Sequence, residues 1–334
     1  MLSSHRPRVH LGHLPTRLER WPALGRELGV DLWIKHEFEA DAFGSGNKVR
    51  KLEFLLAHLT AGDYAGVLLD GSTQSNCAMA LAHYAPRFDL QVELILYGPT
   101  EPVGNYVDIL SSTARITHLP GWSPATVAAA AERITNHAHH RGERLYHVPT
   151  GATNTITAYA ALDLAEELYW QQSDTGVGIK HLVFATGTGG TQAGLDIATQ
   201  ELDAGWRLHP VAVANEPAFF HTTTTAIAES AEMTAHTRPA PFQPCARVYT
   251  AAQGPGYGQP LPGSTAEIRR LRRDYGLVLD SVYTFKAFVG LRQLIESRHI
   301  PPESTVVFIH TGGINERFHP PPGRDVLPTG HTQH

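Results

Sequence analysis

The chain has little cysteine, little charge and no long apolar run. Only Cys77 and Cys245 occur among its 334 residues. No disulfide framework can hold it, and a reducing compartment is expected. Charged residues make up 18% of the sequence, and the formal net charge is −5. With no basic patch to meet phosphates, this balance argues against nucleic acid or an anionic membrane as a partner. No stretch is long and apolar enough for a transmembrane helix. The opening MLSSHRPRVHLGHLPTRLERW lacks the continuous apolar core of a signal peptide, so a cytoplasmic protein is expected. Internal repeats are absent too. Twenty histidines invite a metal reading, above all HAHH at His137–His140. That run, however, closes an alanine-rich helix, where basic side chains suit the C-terminal end, and no nearby Cys, Asp or Glu set completes a zinc pattern.

What is present is alternation. Strand-like runs fall at 31–35, 66–69, 91–97, 145–148, 181–185, 210–214 and 305–310. Helix-like stretches fall at 76–84, 124–140, 155–170, 191–202, 264–275 and 286–298. Another helix is expected after the Gly44-Ser45-Gly46 turn, with Asn47 as its N-cap and Val49, Leu52, Leu55, Leu56 and Leu59 at helical spacing. Several strands are almost wholly apolar (VLL, LVFA, VVFI), as in a parallel sheet covered on both faces. The pattern is that of an α/β fold, and the length suits two domains. Arg238–Pro244 reads as a proline-rich connector and Arg317–His334 as a polar tail outside any packed core.

Ligands of parallel sheets bind beyond the carboxyl ends of the strands, so four junctions matter. In LVFATGTGGTQAG an apolar strand runs into Gly187, Gly189 and Gly190 with Thr188 and Thr191 between and after them. Backbone amides there and a helix N-terminus would hold a single phosphate. The dinucleotide pattern fails because residue 192 is glutamine, and the Gly-Lys-Ser/Thr ending of a P-loop is missing. In VLLDGSTQSN, Gln74, Ser75 and Asn76 open a helix and could receive a carboxylate, although Ser-Asn is also an ordinary cap. VVFIHTGG ends a third strand in Thr311 and a glycine turn, and QGPGYGQP sets Tyr257 among glycines, shortly before Tyr283 in VYTFKAF. Pyridoxal 5′-phosphate would use all these parts. It needs a lysine, a phosphate cup, a partner for its ring nitrogen and a group near its phenolic oxygen. Lys48, Gly187–Thr191, Thr311 and Asn76 could supply them.

GSGNKVRKLEFL, QSN before a helix, TGTGGTQAG, PGYG, VYTFKA and FIHTGG, in that order, resemble the D-cysteine desulfhydrase and 1-aminocyclopropane-1-carboxylate deaminase family. These are pyridoxal-phosphate enzymes of the tryptophan-synthase-β type (fold type II), and the resemblance spans Asp31 to Gly313. It implies a two-domain parallel-sheet α/β fold, with residues 1–45 and 149–334 forming a large cofactor-binding domain and 46–148 a small inserted one. It implies a homodimer, Lys48 as the Schiff-base lysine and Lys51 near the phosphate with the Gly187–Thr191 loop. Gln74, Ser75 and Asn76 would meet the substrate carboxylate, and Asn76 also the phenolic oxygen. Tyr257 and Tyr283 would project toward the substrate, and Thr311 would face the ring nitrogen. Lys48, or a hydroxyl such as that of Ser75, would move the Cα proton. Cys77 stands where the family has histidine, and Ile314–Phe318 departs from the family's Gly-Leu-Phe. Thr284, where the deaminase branch tends to have Glu, favours the desulfhydrase branch. The expected activity is therefore β-elimination from a small amino acid, giving a keto acid and ammonia, with the deaminase or a related lyase as the alternative. A nucleotide-dependent oxidoreductase and a cofactor-free binding protein on the same scaffold are the readings from other classes.

Overall fold

The apolar runs lie side by side in two sheets. The computed structural model describes residues 6–230, 233 and 242–313. Residues 238–241 of the expected connector, the Ile314–Phe318 stretch and the tail Arg317–His334 lie outside the described residues. The strands are β1 (Leu18–Arg20), β2 (Asp31–Lys35), β3 (Gly66–Ser72), β4 (Gln91–Tyr97), β5 (Arg115–Leu119), β6 (Leu145–Val148), β7 (His181–Thr186), β8 (Arg207–Ala212) and β9 (Thr305–Ile309). One sheet has the order β1-β2-β9-β7-β8 and the other β5-β4-β3-β6. Every pairing in them is parallel except β1 with β2.

The helices are α1 (Pro22–Leu28), α2 (Lys48–Ala61), α3 (Asn76–Tyr84), α4 (Asn105–Leu110), α5 (Pro124–His140), α6 (Thr155–Thr175), α7 (Gly190–Glu201), α8 (Pro217–Ala228), α9 (Ser264–Tyr275) and α10 (Thr284–Glu296). They cover both sheet faces, and the strand sequences say so. Along β7 and β9, Leu182, Phe184, Val307 and Ile309 pack into one apolar cluster with α6 and α7. Their alternate neighbours Val183, Val306 and Phe308 pack into a second cluster with Phe285, Phe288 and Leu291 of α10. Period-two alternation sends successive side chains to opposite faces, so a strand buried on both must be apolar at every position.

Five elements carry no comparable signal and were not expected: β1, β5, α1, α4 and α8. β5 has no buried position, and β1 is three residues on an edge. β8 begins at Arg207, ahead of the expected Pro210. The proline is tolerated there because β8 is the outermost strand and the short 247–249 segment beside it uses Pro210 only as an acceptor, Tyr249 N donating to Pro210 O at 2.8 Å.

Beneath α2 lies a buried ionic cluster. Arg50 donates to Glu37 at 2.7 and 2.9 Å, to Asp163 at 2.9 Å and to Glu167 at 2.8 Å. Arg50 and Glu37 are 1% and 0% exposed, and Lys35 of β2 also pairs with Glu167. The cluster fixes α2 against α6 and the end of β2. Among the described residues no helix is long and apolar enough to cross a membrane.

Candidate active site

The carboxyl ends of both sheets face one cavity of about 560 Å³. Its wall brings together Lys48, Lys51, Ser75, Asn76, the whole loop Gly187, Thr188, Gly189, Gly190 and Thr191, and also Tyr257, Tyr283 and Thr311. Of the residues expected at a site, Gln74 alone is absent from that wall. Its side chain turns to the 103–105 segment, where Nε2 donates to Val103 O at 2.8 Å and Oε1 accepts from the Asn105 amide at 3.1 Å. The Gln74 side chain is thus turned away from the cavity wall that the other expected residues share.

Lys48 opens α2, and the turn before it sets its direction. Gly46 has φ +58°, and a Cβ there would collide with the Thr311 backbone. The Asn47 amide donates to Thr311 O at 2.9 Å, so the first turn of α2 is sewn to the end of β9. Asn47 occupies the N-cap position but makes no side-chain cap bond. Its Oδ1 accepts from Lys48 Nζ at 3.0 Å, and its Nδ2 donates to Thr191 Oγ1 at 3.3 Å. The cap was legible in the sequence, whereas its diversion into the site was not. Burial holds the Lys48 ammonium below its usual pKa.

Lys51 lies one turn along α2, with its Nζ donating to Gly151 O at 3.0 Å and Ala152 O at 3.2 Å. Burial first, then the charge of Lys48, lower its pKa to about 7. The α7 N-terminus stands opposite. Gly189 is its N-cap with φ +87°, a left-handed conformation that glycine adopts without penalty. A Cβ on Gly190 would come within 3.0 Å of both Lys51 Nζ and Thr153 Oγ1. Free α7 amides, a lysine and the Thr188 and Thr191 hydroxyls thus converge on one point, which is chemistry for a small anion.

Across the cavity Ser75 caps α3, its Oγ accepting from the Ala78 amide at 3.2 Å. Asn76 Oδ1 accepts from Asn105 Nδ2 at 2.7 Å. The Tyr257 and Tyr283 hydroxyls are 2.8 Å apart, and burial raises both pKa values. Thr284, by contrast, is 1% exposed and turned to Asp280, to which its Oγ1 donates at 2.7 Å. It is not part of the cavity wall, so residue 284 does not distinguish the branches by direct contact.

Several wall residues were not singled out from sequence: Asn47 as a site residue, Asp70, Ser72, Tyr97, Trp122, Thr150 and Asn215. Asp70, Ser72 and Tyr97 end apolar runs, and that signal could have found them. Cys77 is 2% exposed and also in the wall. Burial pushes its thiol pKa up, against the pull of Lys51 and Lys48.

Residues 9–312 match the sequence model of the family described as pyridoxal-phosphate dependent enzyme. The chain belongs to that family, and pyridoxal phosphate is its cofactor. It is 30% identical over 324 residues to a D-cysteine desulfhydrase of Klebsiella pneumoniae, covering 93% of this chain and 95% of that protein. It is also 30% identical over 321 residues, 95% of each chain, to a Pyrococcus abyssi protein provisionally named as a 1-aminocyclopropane-1-carboxylate deaminase. A crystal structure of an ACC deaminase homologue superposes with a TM-score of 0.84 at 29% identity, over 95% of each chain. A pyridoxal-phosphate-dependent aspartate racemase shares the fold, with a TM-score of 0.63 at 17% identity over 89% of this chain and 90% of its own. The expected α/β fold of parallel sheets, the cofactor and the family are thereby borne out.

The residues present fit the cofactor. The Gly190 backbone has the bare surface that an anion needs, and Lys51 stands beside it. Thr186 Oγ1, in the same wall, is buried with no hydrogen-bond partner among the described residues. Such a group awaits a ligand atom.

Proposed function

We propose that this enzyme is a lyase that eliminates a β-substituent from a small amino acid, as the name D-cysteine desulfhydrase describes for its relative, and releases a keto acid and ammonia. One observation carries the reading: the Lys48 amine, kept from full basicity by burial, shares a cavity with an anion cradle and a paired tyrosine hydroxyl. Lys48 is the covalent anchor and, once freed, the base for the Cα proton. Its bond to Asn47 aims it. Lys51 and the Gly187–Thr191 loop hold the phosphate. Asn76, itself held by Asn105, meets the phenolic oxygen. The Ser75 hydroxyl, whose oxygen is engaged by the α3 cap but whose proton is free to donate, meets the substrate carboxylate. Thr311 faces the ring nitrogen, and the Tyr257–Tyr283 pair attends the departing group. Bound pyridoxal phosphate supplies the electron sink at Cα. A hydroxyl partner at the ring nitrogen leaves that sink moderate, which suits loss of a good leaving group.

Ring-opening deamination is the second reading, favoured by the likeness to the ACC deaminase homologue. The enzyme works as a cytoplasmic homodimer, with residues 46–148 as the small domain. The resemblance supports that assembly, and all four strands of the second sheet fall within those bounds. The test is product analysis of the holoenzyme. Pyruvate and ammonia are expected from D-cysteine or β-chloro-D-alanine. Ring opening of 1-aminocyclopropane-1-carboxylate to a four-carbon keto acid, with no pyruvate from any amino acid, overturns it. Tyr283→Phe should lower kcat at least about tenfold while changing cofactor affinity little. Equal loss of both removes the tyrosine from its assigned place.

A further inference from the structure

Asp70 ends the apolar run of β3, is 3% exposed, and forms part of the cavity wall. A carboxylate so buried ordinarily has a cation against it, because an unpaired charge is costly to take out of water. Here its hydrogen-bond partners are neutral: Thr150 Oγ1, at 3.0 and 2.8 Å from the two oxygens, and its own backbone amide. Among the described residues no ammonium or guanidinium is hydrogen-bonded to it. Lys51 spends its donors on Gly151 and Ala152, and Lys48 on Asn47. Among the described residues the basic side chain that bears on Asp70 is His147, which is exposed and outside the cavity wall. Burial accordingly raises the Asp70 pKa.

The surroundings place this carboxylate at the substrate's side-chain end. Tyr97 stands opposite Ser72 where β4 and β3 end. Burial raises the Tyr97 pKa, and Tyr257 and Asp70 raise it further. Asp70 and Ser72, two residues apart on β3, point to one face, as does Tyr97 across from Ser72, and the Ser72 hydroxyl is hydrogen-bonded to that of Tyr257. Asp70 therefore shares its corner of the cavity with the hydroxyl pair assigned to the departing group.

We propose that Asp70, with the hydroxyls of Tyr97 and Ser72, is the subsite for the substrate's side chain, and that the substrates are amino acids bearing a second amine on Cβ, 2,3-diaminopropionate being the simplest. This rests on the lyase reading and narrows it. An ammonium on Cβ supplies the countercharge that the fold withholds from Asp70, whereas a departing thiolate or chloride would leave against a like charge. The balance is complete. The Cα proton goes to the base, the Cβ–N bond breaks with its electron pair on nitrogen, and neutral ammonia leaves from the protonated amine. One substrate and one water give one pyruvate and two ammonia, with no oxidant or reductant.

The test compares each enantiomer of 2,3-diaminopropionate with the matching β-chloroalanine on the holoenzyme, for the native chain and Asp70→Asn. The native enzyme should prefer the diamino acid in kcat/KM by at least about tenfold, and the variant should lower that preference about tenfold or more. Thermal unfolding supplies a second readout. The diamino acid should raise the native melting temperature and not that of the variant, and Asp70→Asn alone should leave it level or raised. Turnover of β-chloroalanine with no preference for the diamino acid, an unchanged ratio in the variant, or a marked fall in melting temperature overturns the subsite while leaving the lyase standing. No keto acid from any of these amino acids overturns the lyase itself.

Discussion

Lys48 and Lys51 are separated by one helical turn, and burial lowers the pKa of both, yet their neighbours differ. Lys48 rests on the Asn47 amide oxygen and can leave it, whereas Lys51 is tied to two backbone carbonyls. Lys48→Ala should abolish the visible absorbance of bound cofactor and reduce turnover by orders of magnitude. A variant with both intact removes Lys48 from its role. Lys51 makes a different prediction. Burial and the charge of Lys48 push its pKa down to about 7, against an ordinary 10.5. Between those values the unfolded chain binds more protons, so this group makes stability rise with pH, by at most about 1.4 kcal/mol per unit. Urea titrations of the apo protein from pH 7 to 9 should show that rise. Lys51→Met should flatten it, and saturating phosphate, which favours the charged amine, should flatten it too.

At the scale of elements, α2 carries the proposed anchor, Lys48, and also covers a buried charge cluster. Arg50→Met would leave Glu37 without its guanidinium in a site of no exposure. The expected cost is about 3–5 kcal/mol, read from the urea midpoint. α7 offers a milder case. Gly189→Val forces a branched side chain into φ +87° and to within 3.2 Å of Thr223, at a strain of about 1–3 kcal/mol. Cofactor affinity should fall at least about tenfold while the fold persists, and full retention of cofactor after dialysis would count against the loop as the phosphate cup. These elements were also the legible ones. β2, β4, β6, α3, α5 and α9 match their expected bounds because each is apolar in its own period or punctuated at its ends, as with Ser123 and Pro124 opening α5. The helix α8, with four successive threonines, and the exposed β5 had neither mark. Backbone motifs likewise announced the cradle and the lysine. The turning away of Gln74 and Thr284 depended on Asn105 and Asp280, contacts that no local pattern encodes.

For the whole molecule, the cavity wall takes Asp70, Ser75 and Asn76 from the four-stranded side and Gly187–Thr191, Tyr283 and Thr311 from the five-stranded side. A ligand that touches both should bind the folded chain alone and raise its stability by mass action, about 2.7 kcal/mol at a hundredfold excess over Kd. Calorimetry of apo and holo protein should show one transition moving upward as a unit. Two transitions, with only the later one moved by the cofactor, would mean that the sheets unfold separately and that the ligand grips one of them.

β9 lies in the middle of its sheet, between β2 and β7, and Thr311 at its end receives the amide of Asn47. Lys48, the proposed anchor, is thus made early in synthesis but seated late. A ribosome that has already delivered Lys48, the glycine loop and both tyrosines still holds a chain whose central strand is missing and whose lysine has no seat. If Lys48 anchors the cofactor as proposed, a fragment that ends before β9 holds that lysine without the Thr311 carbonyl that seats the start of its helix.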